Sequence, residues 1–167
     1  MNGWLTRLQL AIAALCLLAA TAAAQEVLRP FVRGSWQEIR AAHAGRPFVV
    51  HVWGVSCAPC RTEMPMWGRL MQAHPQLALV TIHADRVPDE SSAMAEMLGS
   101  SGLSGAENWW FAERFFERLR FEVDPHWQGE IPMTLLISAA GEITTIIGSA
   151  EPEEVVRWLA VAARPQH

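Results

Sequence analysis

The sequence contains no lysine and no tyrosine, so arginine supplies all 13 basic residues of the 167-residue chain. Those arginines are scattered along the chain, and the formal net charge is −4. A surface that binds nucleic acid needs concentrated positive charge to contact the phosphates. The absence of a basic patch therefore argues against a nucleic-acid partner. Intrinsic disorder is also disfavoured, because 51% of the residues are apolar.

Cysteine is scarce as well: there are three, and Cys16 lies in the N-terminal segment. The other two, Cys57 and Cys60, stand only three positions apart. A disulfide across so short a loop constrains little of the unfolded chain, so this pair is a poor structural staple. A structural zinc site would need a second cysteine pair or paired histidines, and the sequence has neither. We therefore expect no metal and no cofactor, and interpret the pair as chemically active.

The apolar run at residues 10–20 is too short to span a bilayer, which takes about 20 residues. Arg7 precedes this run, and a small-residue A-x-A site that ends at Ala24 follows it. This order is typical of a secretory signal peptide. We predict that residues 1–24 are a signal peptide, with an uncleaved membrane anchor as the alternative. Residues 25–167 are then expected to form one periplasmic domain.

Strand and helix patterns alternate along the rest of the chain. Strands are predicted at 28–33, 47–53, 77–83, 133–138 and 142–147. Helices are predicted at 35–43, 57–74, 92–98, in the second half of 107–119, and at 152–163. This order indicates an α/β domain with a mixed central sheet flanked by helices.

Three local features carry further expectations. Ser35 followed by Glu38 forms a capping box, which predicts that Ser35 caps the first helix. Residues 104–128 are rich in aromatics and predict a helical insertion, whose cluster at 109–111 lies either in the core or on a partner-binding surface. Glu63 is predicted to be solvated on the surface of its helix.

The two cysteines stand where a strand gives way to a helix. The Cys-Ala-Pro-Cys run from Cys57 to Cys60 follows the strand at 47–53 and opens the helix at 57–74. The unpaired N–H groups and partial positive charge of a helix N-terminus stabilise a thiolate on Cys57. The pattern predicts a redox centre in which Cys57 attacks a disulfide and Cys60 resolves the mixed disulfide.

A proline begins a later strand, 72 residues after Cys60. Ile131-Pro132 directly precedes the strand at 133–138. A proline at the start of a strand removes no ladder hydrogen bond, so a cis peptide is tolerated there. Together with the Cys-x-x-Cys motif at this separation, the pattern predicts a cis bond between Ile131 and Pro132 close to Cys57.

The residues around the cysteines resemble a known signature. Residues 53–65 read Trp-Gly-Val-Ser-Cys-Ala-Pro-Cys-Arg-Thr-Glu-Met-Pro. They are similar to the W-x-x-x-C-x-P-C-R-x-E-x-P signature of TlpA-like thiol–disulfide reductases, a branch of the thioredoxin superfamily. The resemblance covers about residues 28–163 and implies a thioredoxin fold with an N-terminal extension. It also implies Cys57 as nucleophile, Cys60 as resolving thiol and Pro132 as the cis-proline packed against the disulfide.

The same resemblance implies an activity and partners. Members of this branch are exported, and some serve cytochrome c maturation or copper-site assembly. The implied enzyme reduces a disulfide-containing client protein and receives electrons from a membrane thiol donor. Trp53, Pro59 and Ile131 are expected to support the site as parts of its motifs. We expect the protein to be a monomer.

Two positions depart from the family pattern. Ser56 stands where members usually have an aromatic residue before the first cysteine. His51 stands where an interior Asp, Glu or Asn is common. Two interpretations of His51 stay open: a neutral, hydrogen-bonded core histidine, or a proton acceptor for Cys60, since the unperturbed histidine pKa lies near neutrality.

Other functions also stay open at this point. An oxidase or isomerase would use the same residues, because the direction of exchange depends on how stable the reduced form is. A copper-binding chaperone would hold Cu(I) through both thiolates and a histidine such as His126 or His83, since soft thiolates suit Cu(I). A peroxidase is disfavoured, because the Thr and Arg that would activate its cysteine are not evident around Cys57.

Overall fold

One six-stranded sheet organises the protein. The computed structural model describes residues 28–85 and 91–162, so the predicted signal peptide at 1–24 lies outside the described residues. The strands are β1 (Arg29–Phe31), β2 (Phe48–Trp53), β3 (Leu79–His83), β4 (Glu107–Phe111), β5 (Met133–Ile137) and β6 (Ile143–Ile147). Their order across the sheet is β1-β4-β3-β2-β5-β6. The first four in this order are parallel, whereas β5 is antiparallel to β2 and β6 to β5. The predicted mixed sheet is confirmed.

Helices cover both faces of the sheet. They are α1 (Ser35–Ala42), α2 (Ala58–Ala73), α3 (Ser91–Ser100), α4 (Phe116–Val123) and α5 (Pro152–Ala162). Helices α1 and α4 pack on one face, and α2, α3 and α5 pack on the other. Strands β2, β3 and β5 are buried at every position, which explains their mostly apolar sequences. Among the described helices, none combines the length and the hydropathy needed to cross a membrane.

The aromatic segment differs from its prediction as a helical insertion. Its first part is strand β4, which lies parallel between β1 and β3, and only α4 is helical. The alternation of a strand sends Trp109 and Phe111 to one face, where their rings lie 6.1 and 5.1 Å from the ring of Phe31. These two aromatics therefore belong to the core.

The predicted capping box at the start of α1 is wrong. The N-cap is Gly34, whose φ of 91° suits glycine, and it makes no side-chain cap. Ser35 is instead the first helical residue, and its Oγ accepts a hydrogen bond from the N–H of Val32 at 3.0 Å. Glu38 pairs with Arg29 at 2.6 Å. The serine hydroxyl thus closes the preceding turn rather than capping the helix.

The sheet register brings distant segments to one edge. Val52, near the end of β2, pairs with Met133 at the start of β5, and His51 pairs with Thr134. The chain leaves β2 at this edge and enters α2 within five residues. The start of α2 and the segment before β5 therefore meet there.

Candidate redox site

The two cysteines lie at the N-terminus of α2, as the sequence predicted. Cys57 is the N-cap of the helix, and its Sγ accepts a hydrogen bond from the N–H of Cys60 at 3.2 Å. The two sulfurs are joined in a disulfide. Pro59 lies in the first turn of the helix, where a missing N–H leaves no hydrogen bond unmade.

The two sulfurs differ in access to solvent. Cys60 is 0% exposed and packs in the core between α2 and the sheet, whereas Cys57 is only partly buried. A thiol or disulfide of another protein can therefore reach Cys57 and not Cys60. This asymmetry permits exchange to begin at Cys57.

The segment before β5 faces Cys57. The peptide bond between Ile131 and Pro132 is cis, the isomer that the sequence suggested. The carbonyl oxygen of Ile131 lies 3.6 Å from Cys57 Sγ. In the reduced protein, a Cys57 thiol at this position is able to donate its S–H to that oxygen.

Glu63 lies in the core, contrary to its predicted place in solvent. It is 5% exposed, and its Oε1 accepts hydrogen bonds from Trp67 Nε1 at 3.0 Å and from the N–H of Ala150 at 3.1 Å. Burial raises the pKa of Glu63, and these hydrogen bonds oppose that shift. Glu63 follows Cys60 by three residues, so both lie on the same face of α2.

His51 is fully buried beside Glu63. Its Nδ1 shares a hydrogen bond with Thr134 Oγ1 at 3.2 Å and lies 4.0 Å from Glu63 Oε1. Burial lowers the pKa of His51 to about 3, so the ring is neutral near pH 7. The structure therefore favours the neutral core histidine over the proton acceptor. Its ring also packs against Trp67, with 5.1 Å between ring centroids.

Trp53 is a core residue at the end of β2. It is 0% exposed, and its ring meets that of His83 edge-on, with 4.9 Å between centroids. Trp53 does not face solvent, and it packs against His83, which holds the loop before Cys57.

The side chains of Asp85 and His83 hold the loop before Cys57 through hydrogen bonds that the sequence did not predict. Ser56 donates two hydrogen bonds to Asp85 Oδ2, one from its N–H at 2.9 Å and one from its hydroxyl. The N–H of Val55 donates to His83 Nε2 at 3.4 Å. The sequence did carry one indication of the Asp85 contact: Asp85 directly follows β3, whose C-terminal end lies beside the C-terminal end of β2.

Within the described ranges, 28–85 and 91–162, no three or more His, Cys, Asp or Glu side chains are grouped so as to hold a metal ion. His83 and His126, the histidines considered for copper, therefore complete no such group with the cysteines. His83 Nε2 accepts the Val55 hydrogen bond, and His126 lies exposed in the loop after α4.

No protein-family model and no curated protein matches this chain. Solved structures do. A thiol:disulfide interchange protein of the thioredoxin family from Chlorobium tepidum is 21% identical, with a TM-score of 0.58 over 75% of this chain and 85% of that one. A secreted Mycobacterium tuberculosis disulfide oxidoreductase homologous to E. coli DsbE is 21% identical, with a TM-score of 0.57 over 72% and 84%. StoA from Bacillus subtilis is 23% identical, with a TM-score of 0.53 over 69% and 83%. The predicted thioredoxin fold is thereby confirmed.

Proposed function

We propose that this protein is an exported thiol–disulfide oxidoreductase that reduces disulfides in client proteins. One observation carries the proposal: the Cys57–Cys60 disulfide opens a helix with one sulfur accessible and the other buried. A structural disulfide has no need of this asymmetry, whereas a two-step exchange reaction does.

In the reducing direction, the protein begins as the dithiol. The Cys57 thiolate attacks one client sulfur, which forms an intermolecular disulfide and releases the other client sulfur as a thiolate. Cys60 then loses its proton and attacks Cys57 Sγ. This step forms the Cys57–Cys60 disulfide and frees the second client thiol. Two electrons pass to the client, and a thiol donor, proposed to lie in the membrane, restores the dithiol by the same exchanges in reverse.

Glu63 suits the proton transfer that this second step requires. Cys60 ionises inside the core, so its proton needs an acceptor there. Glu63 lies one turn away on the same helix face, and a carboxylate whose pKa is raised by burial is a stronger base than an exposed one. His51 is too weak a base for this role, and we assign it to orienting Glu63 and Thr134.

The segment that ends at Ile131 is proposed to hold the client. Its carbonyl faces Cys57 Sγ at 3.6 Å, so a client chain paired along this segment would place its disulfide at the attacking sulfur. Pro132 follows directly and offers no N–H that would compete for the thiolate. Trp53 and Pro59 support the loop and the helix start on which Cys57 sits.

The direction of exchange and the setting are proposed from the sequence resemblance. The W-x-x-x-C-x-P-C-R-x-E-x-P run supports a reductase in cytochrome c maturation or copper-site assembly, and residues 1–24 support export. A reduction potential of about −270 mV, the value of thioredoxin, would agree with a reductase, and one of about −120 mV would point to an oxidase.

The two cysteines can be tested separately against insulin as a disulfide-containing probe. The Cys60→Ser variant is expected to accumulate a mixed disulfide between Cys57 and insulin, because the resolving thiol is missing. Its matched control, Cys57→Ser, is expected to trap none, because Cys60 is buried. Mass spectrometry before and after dithiothreitol measures the adduct. Trapping by the control alone would reverse the two roles, and trapping by neither would overturn the proposed function.

A further inference from the structure

A carboxylate holds the loop that carries Cys57. Asp85 accepts hydrogen bonds from both the N–H and the hydroxyl of Ser56, the residue directly before Cys57. Asp85 also packs closely on Gly54: a Cβ at that glycine would lie 2.9 Å from Asp85 Oδ2 and 2.9 Å from Ile131 Cδ1. Asp85 and Ile131 therefore converge on the same loop, and Ile131 is the residue whose carbonyl faces Cys57 Sγ.

Three further ionisable side chains among the described residues border this loop, those of His83, Arg61 and Glu130. His83 adjoins Asp85, but burial lowers the pKa of His83 to about 4, so near pH 7 it adds no positive charge. Arg61 donates to the carbonyl of Val55 at 3.0 Å and brings one positive charge to the first turn of α2. Glu130, exposed beside Ile131, carries a second carboxylate. The positive end of α2 and Arg61 thus favour a Cys57 thiolate, and the carboxylates oppose it.

We propose that Asp85 is a positioning residue that sets both the orientation of Cys57 and the reducing strength of the Cys57–Cys60 pair. The proposal rests on the proposed function. The two hydrogen bonds fix the backbone before Cys57, and the negative charge disfavours the thiolate. Because a thiolate exists only in the reduced protein, Asp85 destabilises the reduced form relative to the disulfide. A less stable reduced form is a stronger reductant.

The equilibrium with glutathione measures this bias. One protein disulfide and two reduced glutathiones exchange for one protein dithiol and one glutathione disulfide, so two electrons pass to the protein. Asp85→Asn keeps an oxygen acceptor for Ser56 and removes the charge. At pH 8.5, its equilibrium constant toward the dithiol is expected to be about threefold higher than that of the wild type. At a pH well below the Cys57 pKa of both proteins, where the thiol is protonated, the two constants are expected to converge.

Alkylation of the reduced protein by iodoacetamide gives the opposite pH signature. Below the Cys57 pKa, the rate at Cys57 follows the thiolate fraction, so Asp85→Asn is expected to react about threefold faster. Well above that pKa, where Cys57 is ionised in both proteins, the rates are expected to converge. A purely structural role would not produce this pair of crossed profiles.

Two control variants separate charge from geometry. Ser56→Ala removes the hydroxyl donor but keeps the carboxylate, and is expected to leave both pH profiles in place. Glu142→Gln removes one negative charge after β5, at the sheet end opposite the cysteines, and is also expected to shift neither profile. Asp85→Ser removes the same charge should Asp85→Asn fold poorly.

Profiles of a folded Asp85 variant that coincide with the wild type would overturn this inference, and so would a rate change that is uniform across pH. Failure of the proposed function looks different. In that case the wild-type protein itself would not equilibrate with glutathione.

Discussion

His51 is held without solvent contact between β5 and α2, and this makes folding sensitive to acid. Its pKa is about 3 in the folded protein and near 6.5 when unfolded, so the unfolded chain binds the proton more readily. The stability contributed by neutral His51 is complete above pH 6.5 and is lost as the pH falls toward 3. His83, with a pKa of about 4, acts in the same direction. Glu63, whose pKa is raised, acts in the opposite direction: the stability that it contributes to the folded protein is lost as the pH rises.

Replacing His51 by asparagine is expected to reduce the loss of stability in acid. Asparagine keeps a hydrogen-bonding partner for Thr134 and binds no proton. Between pH 6.5 and 4.5, the wild-type protein is expected to lose about 2 kcal/mol more of its free energy of unfolding than His51→Asn. Urea denaturation at the two pH values measures this. The control is His126→Asn, which removes an exposed histidine and should retain the full acid loss. Equal losses in all three proteins would contradict the assignment.

The place of Glu63 shows what sequence reasoning reaches at the residue scale. A charged residue is rarely buried, which made a solvated Glu63 the natural expectation. Its spacing of three from Cys60 and four from Trp67 placed it on the buried face of α2, so the sequence did carry a signal. The N–H of Ala150, one of the two donors to Glu63 Oε1, lies 87 residues away and is not accessible to local patterns.

At the scale of elements, strands β2, β3 and β5 were predictable and β4 was not. The first three are mostly apolar runs rich in β-branched and other apolar residues. Strand β4 reads Glu-Asn-Trp-Trp-Phe, without β-branched residues, and it is extended because β1 and β3 pair with it on both sides. Pairing of that kind depends on the tertiary fold and overrides local propensity.

Helix α2 approaches the connection between α3 and β4 at a glycine. A Cβ at Gly68 would clash with the carbonyl oxygen of Ser101, which is a backbone atom. Helix propensity alone predicts that Gly68→Ala stabilises the protein by about 1 kcal/mol. We expect the opposite sign, a loss of about 3 kcal/mol, because neither backbone can move aside cheaply.

Chemical denaturation of Gly68→Ala decides between the two signs. Gly105→Ala is the matched control, because a Cβ there meets nothing within 4 Å, and its stability is expected to stay within about 0.5 kcal/mol of the wild type. A Gly68→Ala protein as stable as the wild type would show that α2 is free to shift away from Ser101.

At the scale of the whole molecule, the redox site was more predictable than the path of the chain. The Cys-x-x-Cys motif and the later Ile-Pro each carry a local signal, and the β2–β5 register brings them to the same end of these two strands. The edge formed by β1 and β4 carries no comparable motif. Its strands have three and five residues and are held by aromatic packing.

That edge gives a test of how much of the chain the fold requires. Phe31 in β1 is 0% exposed and packs against Trp109 and Phe111, so removal of β1 would uncover the rings of Trp109 and Phe111 and leave β4 paired only with β3. Intact-mass measurement is expected to place the start of the exported chain at Gln25. A protein that begins at Gln25 should therefore unfold in one transition, with the same midpoint as the exported protein. A mass that includes residues 1–24 would indicate a retained anchor instead.

A protein that begins at Ser35 is expected to have a free energy of unfolding that is lower by about 3–5 kcal/mol, the usual cost of truncating a buried phenylalanine to alanine. Phe31→Ala in the longer protein is the matched control, since it removes the ring and keeps the strand pairing. The folded fraction of either protein is expected to retain exchange with glutathione, because the cysteines are carried by α2 beside β2 and β5, away from β1. Unchanged stability on removal of residues 25–34 would show that β1 contributes nothing to the fold. Loss of exchange in protein that stays folded would couple this edge to the redox site.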